Sequence, residues 1–206
     1  MTLERRVFMS RLLITIGREY GSGGREIGQK LAERLNIAFY DRKELMEIAK
    51  HRENYEDVQS FYEEFPVNSL LYAIAMNNFE NGIGIIPFQQ IRAICANQSC
   101  VIVGRCSNYI FKDDPDLISI FIHANPEFRL KRVMEMEQLS KSRAKERISE
   151  VDRGRKSLFE YYTKASWDKA NGYHLCLDSS ILGIDQTVEE ILSYINRRIR
   201  IKNPTS

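Results

Sequence analysis

A run of glycines set between a buried strand and a helix restricts this chain more than any other feature. Residues 12–16 (LLITI) are apolar and rich in β-branched side chains, the pattern of a parallel strand buried on both faces. Gly17-Arg18-Glu19-Tyr20-Gly21-Ser22-Gly23-Gly24-Arg25-Glu26 follows at once, and beyond it Ile27, Leu31, Ala32 and Leu35 recur at helical spacing. Successive backbone N–H groups in a tight loop, continued by a helix N-terminus, form a pocket for phosphate oxygens. Glycine serves there because the backbone must take positive φ and come close to the ligand. A plain strand-to-helix turn needs one or two glycines, whereas here Gly21, Gly23 and Gly24 fall within four positions.

The details of the loop narrow the ligand. Gly21-x-Gly23 is followed by Glu26 rather than a third glycine, and the second strand has no suitably placed acid for a ribose, which disfavours a dinucleotide. A standard phosphate loop ends in Gly-Lys-[Ser/Thr], with lysine on the outer phosphates and the hydroxyl on magnesium. Aligned on Gly21 and Gly23, those two positions hold Gly24 and Arg25, with Glu26 next, so the lysine is missing. Arg18 or Arg25 is the candidate replacement, since guanidinium binds phosphate in a bidentate way. Ser22 or Glu26 is the candidate to face a metal, directly or through water. Gly21, Ser22, Gly23, Gly24, Arg25 and Glu26 together are the candidate donor-phosphate site.

Further along, residues 38–40 read as a second strand and Asp41 as the N-cap of a helix over 42–50. Between about 51 and 98, SLLYAIAMNNF and PFQQIRAICA read as helices joined by a loop at NGIG. This block is far longer than a minimal crossover and reads as a helical insertion or flap. CVIV (100–103), ended by Gly104, and LISIFIH (117–123) are the third and fourth strands. Asn125-Pro126-Glu127 opens a helix with cap, N1 proline and first-turn acid in order. A charged helical stretch runs from about 141 to 162, with Gly154 as a candidate break, and YHLCL (173–177) is a fifth strand. Val188, Ile191, Leu192, Ile195 and Ile199 give the last helix one apolar face, and Thr187 with Glu190 suggests a capping box. KNPTS reads as a frayed tail. Strands alternating with helices predict an α/β fold, a parallel five-stranded sheet with right-handed crossovers and helices on both faces.

Composition excludes several other classes. A chain of 206 residues fits one α/β domain with an insertion, and an apolar fraction of 43% fills a core. A pI near 8.3 does not reach the basicity of a nucleic-acid-binding domain, so no nucleic-acid partner is expected. The arginines are placed rather than spread, gathering at 129–155 and again at 197–200. Cys95, Cys100, Cys106 and Cys176 form no C-x-x-C pair and read as free thiols. MTLERRVFMSR is too charged for a secretory signal, and no apolar run is long enough to span a membrane, so a cytoplasmic location is expected.

ITIGREYGSGGREIG, AFYDRKEL, CVIVGRCSNYIF, LISIFIHANPEFRLKRV, RISEVDRGR and LCLDSSILGIDQTVEEIL, in this order and spacing, resemble the cytidylate kinase-like family of P-loop kinases from about 14 to 195. The resemblance implies a three-layer P-loop fold forming a single domain over 1–206. It also implies an NMP-binding helical insertion at about 42–98 and an arginine-rich lid at about 134–162. The implied activity is ATP- and Mg2+-dependent phosphorylation of a nucleoside monophosphate, with CMP or dCMP favoured. Gly104-Arg105 matches the Gly-Arg whose arginine meets the acceptor phosphate, and Arg129 or Arg132 falls where the helix after strand four presents an arginine. Asp152, Arg153 and Arg155 match the lid stretch whose arginines close over the transferring phosphoryl. Asp178 and Ser179 match the residues beside the donor base, and Asp41 with Arg42 falls on the acceptor side. The pattern departs after Asp41, where Arg42-Lys43-Glu44 replaces Ser-Gly, and at SLFEYYTKASW, where the family has a proline-containing loop. Two other readings share the phosphate loop: a nucleotide-binding regulatory protein that transfers nothing, and a kinase of a small hydroxylated molecule. The latter would bind its acceptor in the aromatic-rich block at 55–88.

Overall fold

The computed structural model describes residues 11–52, 55–62 and 86–202. The helix expected at SLLYAIAMNNF, the loop at NGIG and most of the KNPTS tail lie outside those residues. Five strands, β1 (Leu13–Arg18), β2 (Ala38–Tyr40), β3 (Cys100–Val103), β4 (Leu117–His123) and β5 (Leu175–Asp178), form one sheet. Its order is β2-β3-β1-β4-β5 and every pairing is parallel.

The apolar runs form strands because both faces of the sheet are covered. Ile14, Ile16, Val101, Val103, Ile118, Ile120 and Ile122 point to one face. There they meet Ile27 and Leu31 of α1 (Gly24–Leu35) and Val188, Ile191 and Ile195 of α8 (Ser179–Lys202). Leu13, Cys100, Ile102, Leu117 and Phe121 point to the other. That face is closed by α2 (Arg42–Lys50), α3 (Tyr55–Tyr62), α4 (Ile86–Cys95) and α7 (Lys141–Thr163), through Leu45, Phe61, Ile91, Phe159 and Tyr162. A short α5 (Ser107–Ile110) follows β3, and α6 (Pro126–Glu137) follows β4 with Asn125 as its N-cap. The order places β1 at the centre, with the residues following each strand along one sheet edge, where ligands of open α/β sheets bind.

Three local expectations change. α7 runs through Gly154 without a break, because its i→i−4 ladder continues to Thr163. The last helix begins already at Ser179 and is kinked at Gly183 (φ 71°, ψ 176°). Thr187 therefore lies within a turn, and its hydroxyl donates to the Gly183 carbonyl (2.6 Å) instead of forming a capping box. The fifth strand starts at Leu175 rather than 173, because Tyr173 follows a 3-10 turn (Ala170–Gly172) and its hydroxyl donates to the Trp167 carbonyl (2.9 Å).

Candidate functional site

The phosphate loop is built as a cradle. Gly21 and Gly23 take φ of 79° and 81°, left-handed values that glycine adopts at no steric cost. A Cβ on Gly21 would come within 2.8 Å of the Arg129 carbonyl, so the α6 backbone lies directly against the loop. Ser22 is fully buried. Its hydroxyl donates to the Glu19 carbonyl (2.9 Å), and its own carbonyl accepts from the Ser179 hydroxyl (2.6 Å), which also donates to His123 (3.1 Å). Ser22 and Ser179, read from sequence as ligand-facing, thus tie the loop to the ends of β4 and β5. With its hydroxyl buried on the Glu19 carbonyl, Ser22 is not among the residues that line the larger cavity.

Two cavities meet at this edge. The larger, of about 440 Å³, is lined by Gly21, Gly23, Gly24, Glu26, Arg132 and Arg25, among others. The smaller, of about 30 Å³, is lined by Gly104, Arg105, Ser107, Asn108, Trp167 and Tyr173, among others. Arg18 and Arg155 line both. Their shared position follows from local structure. β1 extends past Gly17, so Arg18 is still paired with Ile122 and leaves from the strand end. Its stem lies over Gly24, where an added Cβ would sit 2.5 Å from the Arg18 Cβ, and its guanidinium lies against Gly104. Both glycines are slots for this one side chain. Arg155 descends from α7, with Nη1 donating to the Arg18 carbonyl (3.3 Å).

The other sequence-predicted residues are distributed unevenly. Arg25, one position past that of the missing lysine, lines the larger cavity but is turned to a partner of its own: its Nε donates to Asp41, and its guanidinium lies 5.8 Å from the centre of the Phe39 ring. Asp41 caps α2, accepting from the Lys43 and Glu44 amides, while Glu44 reaches back to the Asp41 amide (3.1 Å). Burial raises the Asp41 carboxyl, but hydrogen bonds from Glu44, Arg25 and the Lys43 amide outweigh it and bring it to about 2. Arg42 opens α2 beside it. Arg153 is exposed and donates to Ser149 one turn back on α7, so the structure does not bring it to the cavities. Arg129 is nearly buried, paired with Glu19 (3.3 Å) and with Asp152. Arg132 is the α6 arginine that reaches the larger cavity, where Glu26 holds it at 2.9 Å. Asp178 accepts from the Ser180 amide (2.9 Å), just beyond β5.

Arg105 is buried in a turn where Gly104, Arg105 and Cys106 take φ of 81°, 55° and 58° in succession. Its guanidinium donates to the Phe61 carbonyl at the end of α3. Residue types outside the motifs also shape the site. Trp167 packs edge-on against Phe121 (5.5 Å, 84°), and with Tyr173 it walls the smaller cavity. Tyr20 joins the loop to the helices above it. Neither aromatic was separable from ordinary core aromatics by periodicity; only the position of Tyr20 inside the loop was a signal. Burial pushes the Cys106 thiol up to about 12. All four cysteines are free, as expected.

A central strand followed by a glycine cradle, in a parallel five-stranded sheet with arginines gathered at its carboxyl edge, defines the P-loop kinase fold. The chain belongs to the cytidylate kinase-like family, whose sequence pattern matches residues 13–181. The crystal structure of an uncharacterized protein from Eubacterium ventriosum ATCC 27560 is similar at 32% identity and a TM-score of 0.72, covering 91% of this chain and 99% of that one. Shikimate kinase from Acinetobacter baumannii, in complex with shikimate, shares the fold at 13% identity and a TM-score of 0.54, over 98% of this chain and 99% of that one. A gluconokinase from Sinorhizobium meliloti 1021 does so at 13% identity and a TM-score of 0.51, over 93% and 96%. No curated protein matches the chain. Among the described residues no helix is long and apolar enough to cross a membrane, and no group of three His, Cys, Asp or Glu could hold a metal ion.

Proposed function

We propose that this chain is an ATP-dependent phosphotransferase acting on a small anionic acceptor, with a nucleoside monophosphate, CMP or dCMP, as the leading candidate. The observation that carries the reading is the placement of Arg18 and Arg155 on the walls of both cavities. Phosphoryl transfer needs charge clamps and in-line positioning more than a covalent catalyst. Two guanidiniums between a donor cradle and an acceptor pocket meet that need.

The chain's fit to a triphosphate rests on the cradle itself, where positive-φ glycines and the N-terminus of α1 present backbone N–H groups. Bound ATP supplies the phosphoryl group: an acceptor oxygen bonds to the γ-phosphorus as its bond to the bridging oxygen of ADP breaks. Gly21, Gly23 and Gly24 would hold the outer phosphates, with Arg132 beside them and Asp178 on the base side. Arg18 and Arg155 neutralise the charge on the transferring group, and Arg105 faces the acceptor's anionic group. Magnesium, which keeps several waters and binds largely through phosphates, would enter with the nucleotide. Glu26, which lines the larger cavity beside Arg132, is the carboxylate that would face it, directly or through water.

A second reading has its own support. The acceptor cavity, at about 30 Å³, has room for little more than a water in this conformation, so it must open for either acceptor and a compact hydroxylated acid asks for less opening than a nucleotide. The fold is also that of the shikimate kinase and gluconokinase described above. A panel of CMP, dCMP, other monophosphates, shikimate and gluconate, followed for ADP formation with ATP and magnesium, tests both. Acceptor-dependent ADP that is lost in Arg18→Ala supports transfer, and the acceptor that works decides between the readings. Tight ATP binding without acceptor-dependent ADP would mark a binding protein instead.

A further inference from the structure

Tyr20 is held at every polar group by the two helices above the phosphate loop. Its N–H donates to Asp152 of α7 (2.7 Å), and its carbonyl accepts from Arg129 Nε of α6 (2.7 Å). Its hydroxyl donates to Glu137 at the end of α6, and Arg147 and Arg155 lie 5.8 and 5.3 Å from its ring centre. Burial, then the Glu137 carboxylate, push the phenol up to about 12, so it remains a donor at neutral pH. Arg129 closes the circuit by donating to Asp152 and pairing with Glu19, whose carboxylate accepts from the Ala124 amide (3.1 Å).

Asp152 lines neither cavity. It therefore grips the loop from the lid side and leaves the phosphate-facing side clear. Arg155 lies three residues further along α7, on the same helix face. Fixing Asp152 to the loop fixes the height of that turn, and with it the reach of Arg155 to the Arg18 carbonyl.

We propose that Asp152 is a positioning residue: by clasping Tyr20 and Arg129 it pins α7 to the phosphate loop and sets Arg155 between the two cavities. The part played by Arg155 rests on the phosphotransferase reading; the clasp does not.

Amide hydrogen exchange and steady-state kinetics on the full chain separate these claims. Asp152→Ala should speed exchange at residues 19–24 and across α7 by about tenfold or more, leaving β4 unchanged, as expected for local opening of one cooperative unit. Asp152→Asn keeps an oxygen for the Tyr20 amide but loses the charge facing Arg129, and should fall between. In Asp152→Ala kcat should drop about 10- to 100-fold, the cost of a misplaced group, with the KM for ATP changed by less than about threefold. Added to Arg155→Ala, the same substitution should cost nothing further. Should Asp152→Ala fail to fold, Asp152→Asn carries the test, because it keeps the side chain's size and loses the charge that holds Arg129. Unchanged exchange in the Asp152 variants overturns the clasp. Additive losses with Arg155→Ala overturn action through that arginine. Absence of turnover in the unaltered protein defeats the phosphotransferase reading alone, because the exchange data still decide the clasp.

Discussion

At the scale of single residues, the structure separates two arginines that the loop motif left equivalent. Arg25 stands one position past the lysine's place, but Asp41 captures its guanidinium across the surface. Arg18, seven positions earlier, lies in a slot between Gly24 and Gly104 and reaches both cavities. We expect Arg18→Ala to lower kcat/KM for phosphoryl transfer about 100- to 1,000-fold, the range for losing one preorganised charge donor. Arg25→Ala should cost less than about tenfold, and the comparison is made by initial-rate kinetics with a saturating acceptor. The sequence held both candidates but could not rank them. Ranking required knowing that β1 continues through Arg18 and that Asp41 lies within reach of Arg25. The same holds for Arg129 and Arg132: helical spacing places both near the site, and only the burial of Arg129 against Glu19 and Asp152 shows that Arg132 faces the cavity.

At the scale of elements, the phosphate loop is supported from three sides. Ser179 holds it from the start of α8, Arg129 from α6, and Asp152 from α7. Gly21 is the position with least tolerance, since positive φ and the nearby Arg129 carbonyl both oppose a side chain. Gly21→Ala should destabilise the fold by about 1–3 kcal/mol, seen as a lower midpoint in thermal or urea unfolding. The strand-loop-helix reading of residues 12–35 was legible because three signals agree there: β-branched run, glycine cluster and 3.6-residue period. The turn at residues 104–106 was legible only at Gly104. Nothing in the identities of Arg105 and Cys106 announces left-handed backbone, which is imposed by the short α5 and by the bond from Arg105 to Phe61. Gly154 misled in the opposite direction, because a glycine inside a helix held at both ends by packing need not break it.

At the scale of the whole molecule, the sheet was readable because each strand alternates between two apolar faces, each covered by helices. The helical block between β2 and β3 was less so, since its role depends on what it packs against rather than on its period. Its first helix carries the capping box at Asp41, and this gives a prediction for acid stability. The Asp41 carboxyl lies near 2, below its ordinary 3.8, so its stabilisation is complete above about pH 4 and is lost as pH falls towards 2. Glu44, raised by its hydrogen bond with Asp41, acts in the opposite sense. Arg25→Ala removes one of the groups that lower Asp41, so the acid limb of the unfolding profile should move to higher pH. Circular dichroism melts between pH 2 and 6 measure it; an acid limb that stays in place would show that Glu44 and the Lys43 amide alone hold the carboxylate.

The glycine slot around Arg18 carries a consequence for how this family can vary. A Cβ at position 24 would sit 2.5 Å from the Arg18 Cβ, and the Arg18 guanidinium lies against position 104. The contact at 24 is with a Cβ that any residue but glycine carries at 18, and Gly104 takes φ of 81°, so both positions call for glycine whatever side chain stands at 18. Relatives that lose the arginine should therefore still keep glycine at 24 and 104. Aligned relatives would show two fixed glycines and, up to 86 residues from them, a position 18 that is free to vary.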